Sequence, residues 1–493
     1  MNAGPINLVY LETQKSTPMK RPFFFKMLFL FCILTSNAQE AKSKALKSID
    51  KKADMYGDIA LQIWNWAEMG YQEEKSSALL QETLSDAGFT IKEGIAGIPT
   101  AFVAEYGQGS PVIGILGEFD ALPGLSQLAV PEKKSAGGVA GHVCGHHLFG
   151  TASSAAAIAV KNWMKSTGQK GTIRFYGCPA EEGGGAKVYM SREGVFNDVD
   201  VALHWHPSSQ NAASAAAALA NISAKFRFHG ISAHAAGAPQ MGRSALDGVE
   251  AMNVMVNMMR EHIPQEARIH YVITDGGKAP NVVPDFAEVY YYARHNSRDV
   301  VRNIFDRIVK AGEGAALGTG TTMEYEIVNG VHELLPNLVL QKLVHKNLSE
   351  IGGITYTEEE KVFGEKIALS LGQKSLNEEV AKEVQPFKET ARAYGSTDVG
   401  DVSFVVPTVG FGAATWVPGT PAHSWQAVAA GGTTIGKKGM VVAAKTLTAT
   451  AIDLFSNTSL IEQAKTEFTE RRGADFVYEP LVGNRAPALD YRK

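Results

Sequence analysis

Two rhythms of apolar residues run along the chain. Over residues 41–88 they recur at helical spacing, with Ile59, Leu61, Ile63 and Trp64 on apolar faces and Gly88 as a stop. After that, short apolar runs alternate with helical stretches. Residues 112–116, 172–176 and 199–203 read as buried strands, and the alanine-rich 152–163 reads as a helix between the first two. Strands alternating with helices predict an α/β architecture, a mostly parallel sheet covered by helices on both faces. Ligands of such sheets bind beyond the carboxyl ends of the strands. Polar clusters stand at those ends here: Glu118 and Asp120 after one strand, Glu181 and Glu182 after the next, His204 and His206 after the third.

A second unit begins near Asn221. Residues 222–228 alternate with period two, as a half-exposed antiparallel strand does. A helix over 244–262, strands over 269–274 and 287–293, a helix over 300–311 and a closing strand over 321–328 follow. That order is the split βαβ, ferredoxin-like arrangement, and it predicts a smaller α+β domain inserted into the larger one. The expected division is a leader over 1–38, the large domain over 39–218 and 330–493, and the insert over 219–329. Residues 408–411 read as a late strand, and the charged stretch 358–389 as a solvated helical excursion.

The leader has its own pattern. Met19-Lys20-Arg21 and Lys26 form a basic region before the apolar run 27–34, and Ser36-Asn37-Ala38 offers the small residues that signal peptidase accepts. This predicts export, periplasmic or secreted, with Gln39 opening the mature chain and the residues before Met19 lying upstream of the true start. Leu30 and Phe31 precede Cys32 where a lipoprotein has a small residue, so Cys32 is expected to leave with the leader.

Composition narrows the classes of function. The 493 residues are 45% hydrophobic and 20% charged, ordinary for a globular protein. Lys and Arg number 47 against 51 Asp and Glu, leaving no basic excess to neutralise phosphates, so nucleic acid is not an expected partner. No run of about 20 apolar residues occurs, and no stable membrane span is expected. Three cysteines, Cys32, Cys144 and Cys178, exclude a disulfide scaffold.

Three of the 13 histidines, His142, His146 and His147, crowd around Cys144 in GHVCGHH at 141–147. A thiolate and imidazoles between glycines match the preferences of borderline metals, the plain alternative being a glycine-rich turn. PAEEGGG at 179–185 sets two carboxylates side by side, able to divide metal binding and proton transfer, although such a pair is often only a solvated face. HWHP at 204–207 and PAHS at 421–424 add imidazoles after further strands. Each signal is modest alone; four at strand ends of one domain point to a metal site. No GxxxxGK[ST] or GxGxxG occurs, and the sequence around Ser232 lacks the final glycine of a nucleophile elbow.

The order GEFDALPG, GHVCGHH, PAEEGGG, HWHP, HGISAHAAGAPQMGRSALDG, NVVPDFAEVYYYAR, GSTDVGDVS and PAHS resembles the co-catalytic metal amidohydrolases, a family of aminoacylases, carboxypeptidases and p-aminobenzoyl-glutamate hydrolases. It is most similar to the branch of p-aminobenzoyl-glutamate and amino-acid-conjugate hydrolases, over nearly all of the chain after the leader. The resemblance implies Cys144, His146, Glu182 and His423 as ligands, with His206 preferred to His204, around one or two ions of zinc or manganese. It implies Glu181 as the general base, taking a proton from water and delivering it to the departing amine. Asp120 keeps the role of orienting a ligand histidine.

The same resemblance makes the insert a lid and dimerisation domain. His234 is then the lid histidine that steadies the developing oxyanion, arriving from the partner subunit in dimeric relatives. Asn281 and Arg294 hold the substrate's carboxylate, a task suited to the guanidinium fork. Two positions depart from the pattern. Glu118 stands where many relatives bind metal through histidine, and His147 where conjugate hydrolases often have aspartate. The implied activity is release of an amino acid from a p-aminobenzoyl-glutamate-like or other N-acyl substrate, by a homodimer. A dipeptidase or aminoacylase, and a catalytically silent binding scaffold, are the alternatives. A Cys144–Cys178 disulfide is a further possibility that metal ligation would prevent.

Overall fold

A computed structural model describes Met1, residues 39–392 and residues 395–492. The leader motif and Cys32 therefore lie outside the described residues. Three helices, α1 (39–51), α2 (Ala53–Trp66) and α3 (Glu74–Asp86), precede the sheet. Ile59 and Ile63 are buried as their spacing predicts, but Leu61 is 38% exposed, because successive residues of a helix face different ways and only one stripe of α2 meets the core.

The main sheet is built from β1 (Thr90–Glu93), β2 (Phe102–Gln108), β3 (Val112–Gly117), β4 (Gly171–Gly177), β5 (Val201–Leu203) and a late strand, Thr408–Val409, in the order β1–β2–β4–β3–β5–Thr408–Val409. The last four strands of that order are mutually parallel, and β1 and β2 add an antiparallel edge. The sequence does not announce that edge: β1 has a single apolar residue, Ile91, and β2 is apolar only over its first half before it runs into exposed polar residues. On β3, Ile113 and Ile115 enter one core, while Val112 and Leu116 enter another on the opposite face, as strands buried on both sides require.

Helix α4 (His146–Thr167) fills the first of those cores. It begins six residues before its alanine-rich centre, because Gly145 caps it at φ 75 and the chain turns directly from GHVCG into helix. Gly150 and Gly117 let the helix close on the strand: a β-carbon on Gly150 would stand 2.7 Å from the Glu118 carbonyl. Helix α5 (Ala186–Arg192) follows the PAEEGGG loop on the opposite face.

The inserted unit is a four-stranded antiparallel sheet, β7–β8–β6–β9, with β6 (Ala220–His229), β7 (Arg268–Asp275), β8 (Phe286–His295) and β9 (Thr322–Val331). Helices α6 (Ala245–Met259) and α7 (Arg298–Thr319) complete the predicted strand-helix-strand-strand-helix-strand order. They bury Phe226 and Phe228 of β6 and Val289 and Tyr291 of β8. Full burial of each such side chain is worth roughly 1.5–3 kcal/mol.

The chain then returns to the large domain through α8 (Leu338–Ile351) and the charged excursion, whose helix α9 (Glu358–Ser370) is less solvated than predicted. Its capping box, Thr357 with Glu360, starts a helix that buries Ile367 and Ala368, and Glu360 also holds Thr434 and Lys438. Helix α10 (Thr434–Ser456) is long and apolar enough to cross a membrane, but it packs against α4 and α8 with 78% of its apolar window buried. Residues 473–492 run back over β9 to the PAEEGGG loop.

Candidate metal centre

The strand ends deliver the site. Glu118 and Asp120 follow β3, and His146, the first residue of α4, meets both. Its Nδ1–H donates to Asp120 Oδ1 at 2.8 Å, which fixes the tautomer. Its Nε2 lies 3.2 Å from Glu118 Oε2, but in a geometry that forms no hydrogen bond, so that this fully buried nitrogen has no partner. The other Asp120 oxygen accepts the Glu182 N–H at 2.9 Å and so ties the PAEEGGG loop to the β3 loop. That loop is a tight turn: Ala180 has φ 53, and its carbonyl accepts from both Gly184 and Gly185. The buried carboxylate of Glu73 accepts the Ala180 N–H at 2.8 Å and Tyr71 donates to the Gly184 carbonyl, so the turn is braced from outside.

Cys144 is where the donors converge. Its Sγ stands 3.5 Å from His206 Nε2 and 3.4 Å from His423 Nε2, and the latter is 3.1 Å from Glu182 Oε1. His206 donates its Nδ1–H to the Pro207 carbonyl, leaving Nε2 as the free lone pair. Cys144, His146 and His206, then Cys144, Glu182 and His423, then Glu118, His146 and Glu181, form three overlapping groups of donor atoms, each within 4.8 Å. His423 holds φ 60, a conformation that costs on the order of 1–3 kcal/mol and is kept by its N–H bond to Val143.

Charge is arranged for a cation. Burial and Glu182 push the Cys144 thiol well above its usual range against the pull of His146, and a cation at the convergence would reverse that, since a coordinating thiol is deprotonated. Burial, Glu118 and Glu182 likewise hold the Glu181 carboxyl well above the usual range, the environment of a carboxylate used for proton transfer. Burial opposes the charge of Glu182, but His423 and His146 outweigh it and the carboxyl is lowered. Burial also opposes a proton on His146, yet Asp120 and Glu118 leave the ring raised, so a metal at Nε2 would take the place of its second proton. A thiol, three imidazoles and a carboxylate, with the buried His146 Nε2 left without a protein partner, fit a divalent metal of the zinc type.

Behind the donors lies a group that sequence reading missed. Lys187, fully buried on α5, reaches Glu118 Oε1 at 2.7 Å and Asp398 Oδ1 at 2.6 Å. Burial opposes its charge, but Asp398 and Glu118 keep it protonated. Glu118 thus stands between Lys187 and His146. A lone lysine in Ala186–Arg192 carries no signal that separates it from a surface residue.

The remaining candidates sit apart from Cys144. His204 presses on Gly410, and with His206 it lines a cavity of about 560 Å³ on the side of the late strand. His147 turns away, its Nε2 against the Gly431 carbonyl and its ring 4.9 Å from that of His142, which is bonded to the Ile63 carbonyl. Burial pushes His142 down to about 4. On the insert, His234 and Asn281 stand exposed where Ala235 N–H meets the Asn281 carbonyl. The His234 Nδ1 accepts from Ala236 and Gly237, which makes Nε2–H its free donor. Arg294 lies at the other end of β8, 5.2 Å from the Tyr292 ring, its Nε buried without a partner. Cys144 and Cys178 are both free thiols.

A family model described as the peptidase dimerisation domain matches residues 219–317. Over 468 residues the chain is 42% identical to a p-aminobenzoyl-glutamate hydrolase subunit of Escherichia coli (strain K12), covering 90% of this chain and 97% of that one. The Xaa-Arg dipeptidase of Mus musculus is 29% identical over 452 residues, with 88% and 94% covered. Among solved structures, the fold is similar to an aminobenzoyl-glutamate utilization protein from Klebsiella pneumoniae, with TM-score 0.55, 17% identity, and 83% of this chain and 97% of that one covered. It is equally similar to a dinuclear metal-binding peptidase of the M20 family from Bacillus subtilis, with TM-score 0.55, 17% identity, and 83% and 99% covered.

Proposed function

The chain belongs to the M20 family of metal-dependent peptidases and amidohydrolases, and from that premise we propose that it cleaves the amide of p-aminobenzoyl-glutamate or a closely related N-acyl amino acid. The convergence of His206, His423 and Glu182 on Cys144, with Glu181 beside His146, carries this reading. Cys144, His146, Glu182, His206 and His423 would hold the metal, which would supply Lewis acidity and an activated water when bound. Asp120 keeps His146 in the tautomer that offers Nε2. Glu181 takes the proton of the attacking water and returns it to the departing amine.

The lid supplies the rest. The His234 Nε2–H donates to the oxyanion, and Asn281 and Arg294 hold the carboxylate. The exposed position of His234 and Asn281 supports their service to a partner's site. A second copy finds an apolar surface on the edge strand β7, where Tyr271, Val272 and Ile273 are exposed, and on α6, where Val254, Met255 and Met258 are. Export through the leader belongs to the same proposal and rests on its basic, apolar and small-residue pattern.

Metal analysis by mass spectrometry, with p-aminobenzoyl-glutamate hydrolysis measured before and after chelation, tests the core of it. Bound zinc or manganese with chelator-sensitive release of glutamate is expected. Metal without that hydrolysis moves the reading to a dipeptidase, which the similarity to the mouse enzyme supports. Solution mass separates the homodimer from a monomer, and a mature chain opening at Gln39 in the exported fraction checks the leader.

A further inference from the structure

Residues 473–492 cross both domains before they reach the metal loop. Tyr478 donates to Asp401 Oδ1 at 2.7 Å, and Leu481 packs on Gly330. Arg485 donates to the Val328 carbonyl of β9 at 3.1 Å and pairs with Glu326, while its own carbonyl accepts from Arg192 of α5 at 2.7 Å. The segment is thus moored to the lid sheet and to the catalytic domain at once.

Its last two described residues then meet one atom. The Tyr491 hydroxyl and the Arg492 Nη2 both donate to the Glu182 carbonyl at 3.0 Å. The N–H of Glu182 is already held by Asp120, so the backbone is gripped on both sides of the residue whose carboxylate faces His423. The room for this is built in. A β-carbon on Gly70 would collide with the Tyr491 hydroxyl, and Gly183 lies directly under Tyr491 and Arg492. The Tyr491 ring meets Tyr71 edge-on at 5.6 Å, and Tyr71 donates to another carbonyl of the loop, that of Gly184. The Arg492 guanidinium lies 4.9 Å from the Tyr491 ring, and close enough to Tyr290 on the lid sheet to oppose the upward shift that burial imposes on that phenol.

We propose that Tyr491 and Arg492 are positioning residues for the metal carboxylate Glu182, delivered by a strap that links the lid to the catalytic loop. The proposal rests on the metal-centre reading above. A ligand carboxylate holds its direction only if its backbone does, and outer partners of metal ligands are typically worth 10–100-fold in affinity or activity. The strap also touches β9, so one segment of chain joins the lid sheet to Glu182.

Zinc affinity by competition with a chromogenic chelator, on the full chain and its Tyr491→Phe, Arg492→Ala and Arg492→Lys variants, tests this. Tyr491→Phe removes one oxygen and keeps the ring against Tyr71. It and Arg492→Ala are each expected to weaken zinc about 10-fold, with kcat falling and KM held. Added methylguanidine is expected to restore part of the loss in Arg492→Ala, and Arg492→Lys to fall between that variant and the wild type. Zinc affinity within about 2-fold of wild type in both Tyr491→Phe and Arg492→Ala overturns the proposal. If Arg492→Ala does not fold, Tyr491→Phe decides alone. A wild type that binds zinc but leaves p-aminobenzoyl-glutamate intact defeats the substrate reading only, and the zinc comparison still decides the strap. A wild type that takes up no zinc overturns both.

Discussion

His146 is buried, with Asp120 on one ring nitrogen and no partner on the other, whereas His234 stands exposed, its ring held only by two N–H groups of its own turn. In the proposed mechanism the two imidazoles serve one cleft under opposite conditions. The catalytic loops are over-determined: Glu73, Tyr71, Asp120, Lys187 and the strap each fix a backbone or side-chain atom near the donors. The lid loop has a fixed tautomer and no fixed target. Preorganised parts can be built within one chain, while a group that must meet a substrate on closure, or in a partner, is left free.

The largest effect expected falls on the preorganised side. Glu181→Gln should lower turnover by about 10²–10⁴-fold, with metal content unchanged, measured by steady-state kinetics beside metal analysis. Unaltered turnover would remove Glu181 from the role of base. Lys187→Met leaves Glu118 and Asp398 buried without their cation. It should destabilise the protein by about 3–5 kcal/mol, read as a lowered urea midpoint, and a midpoint equal to wild type would show that the ion pair is dispensable.

His234→Ala sharpens the contrast. It should reduce kcat by about 10²–10³-fold while stability and metal content stay at wild-type values, as befits an exposed residue. Mixed with Glu181→Gln and allowed to exchange subunits, it should regain activity if His234 acts across a dimer. Activity no higher than the sum of the two parents would return His234 to its own subunit.

The smallest effect concerns the junction between the regions. His332, at the end of β9, is buried with its Nε2 at the Glu479 carbonyl, and burial and Arg298 push it down to about 3. Below pH 6.5 the unfolded chain takes up a proton on this ring that the folded chain refuses, so stability falls as pH falls from 6.5 towards 3. His332→Gln should make that slope shallower by roughly 1 kcal/mol per pH unit, measured by urea unfolding at pH 7, 6 and 5 (pH values on the order of those bracketing the histidine range). An unchanged slope would mean that the ring is protonated in the fold.

Much of this architecture is legible in short stretches of the chain. Apolar runs at 112–116 and 172–176 mark strands buried on both faces, and the donors lie just past the end of each. The period-two pattern of 222–228 reveals a sheet with one covered face. Edge strand β1 and its neighbour β2 escape, because β1 has one apolar residue and the apolar run of β2 is too short to show a period of its own. Glu73, Lys187 and the strap escape for a related reason: each is far along the chain from the groups it touches, and nothing local distinguishes a brace from a surface residue.

The order of residues determined which donors exist and that they fall at strand ends, since apolar periodicity and glycine turns are properties of short stretches. Which donors meet was decided by tertiary structure alone. Two residues apart on one regular strand, His204 and His206 would face the same side. The chain instead leaves β5 at Leu203 and pairs anew over 206–208 with Gly412–Ala414, which turns His206 to Cys144 while His204 stays packed on Gly410. His147 sits one residue from His146 yet faces Gly431, because a helix rotates each successive side chain by about 100°. Only packing assigns such neighbours to different environments.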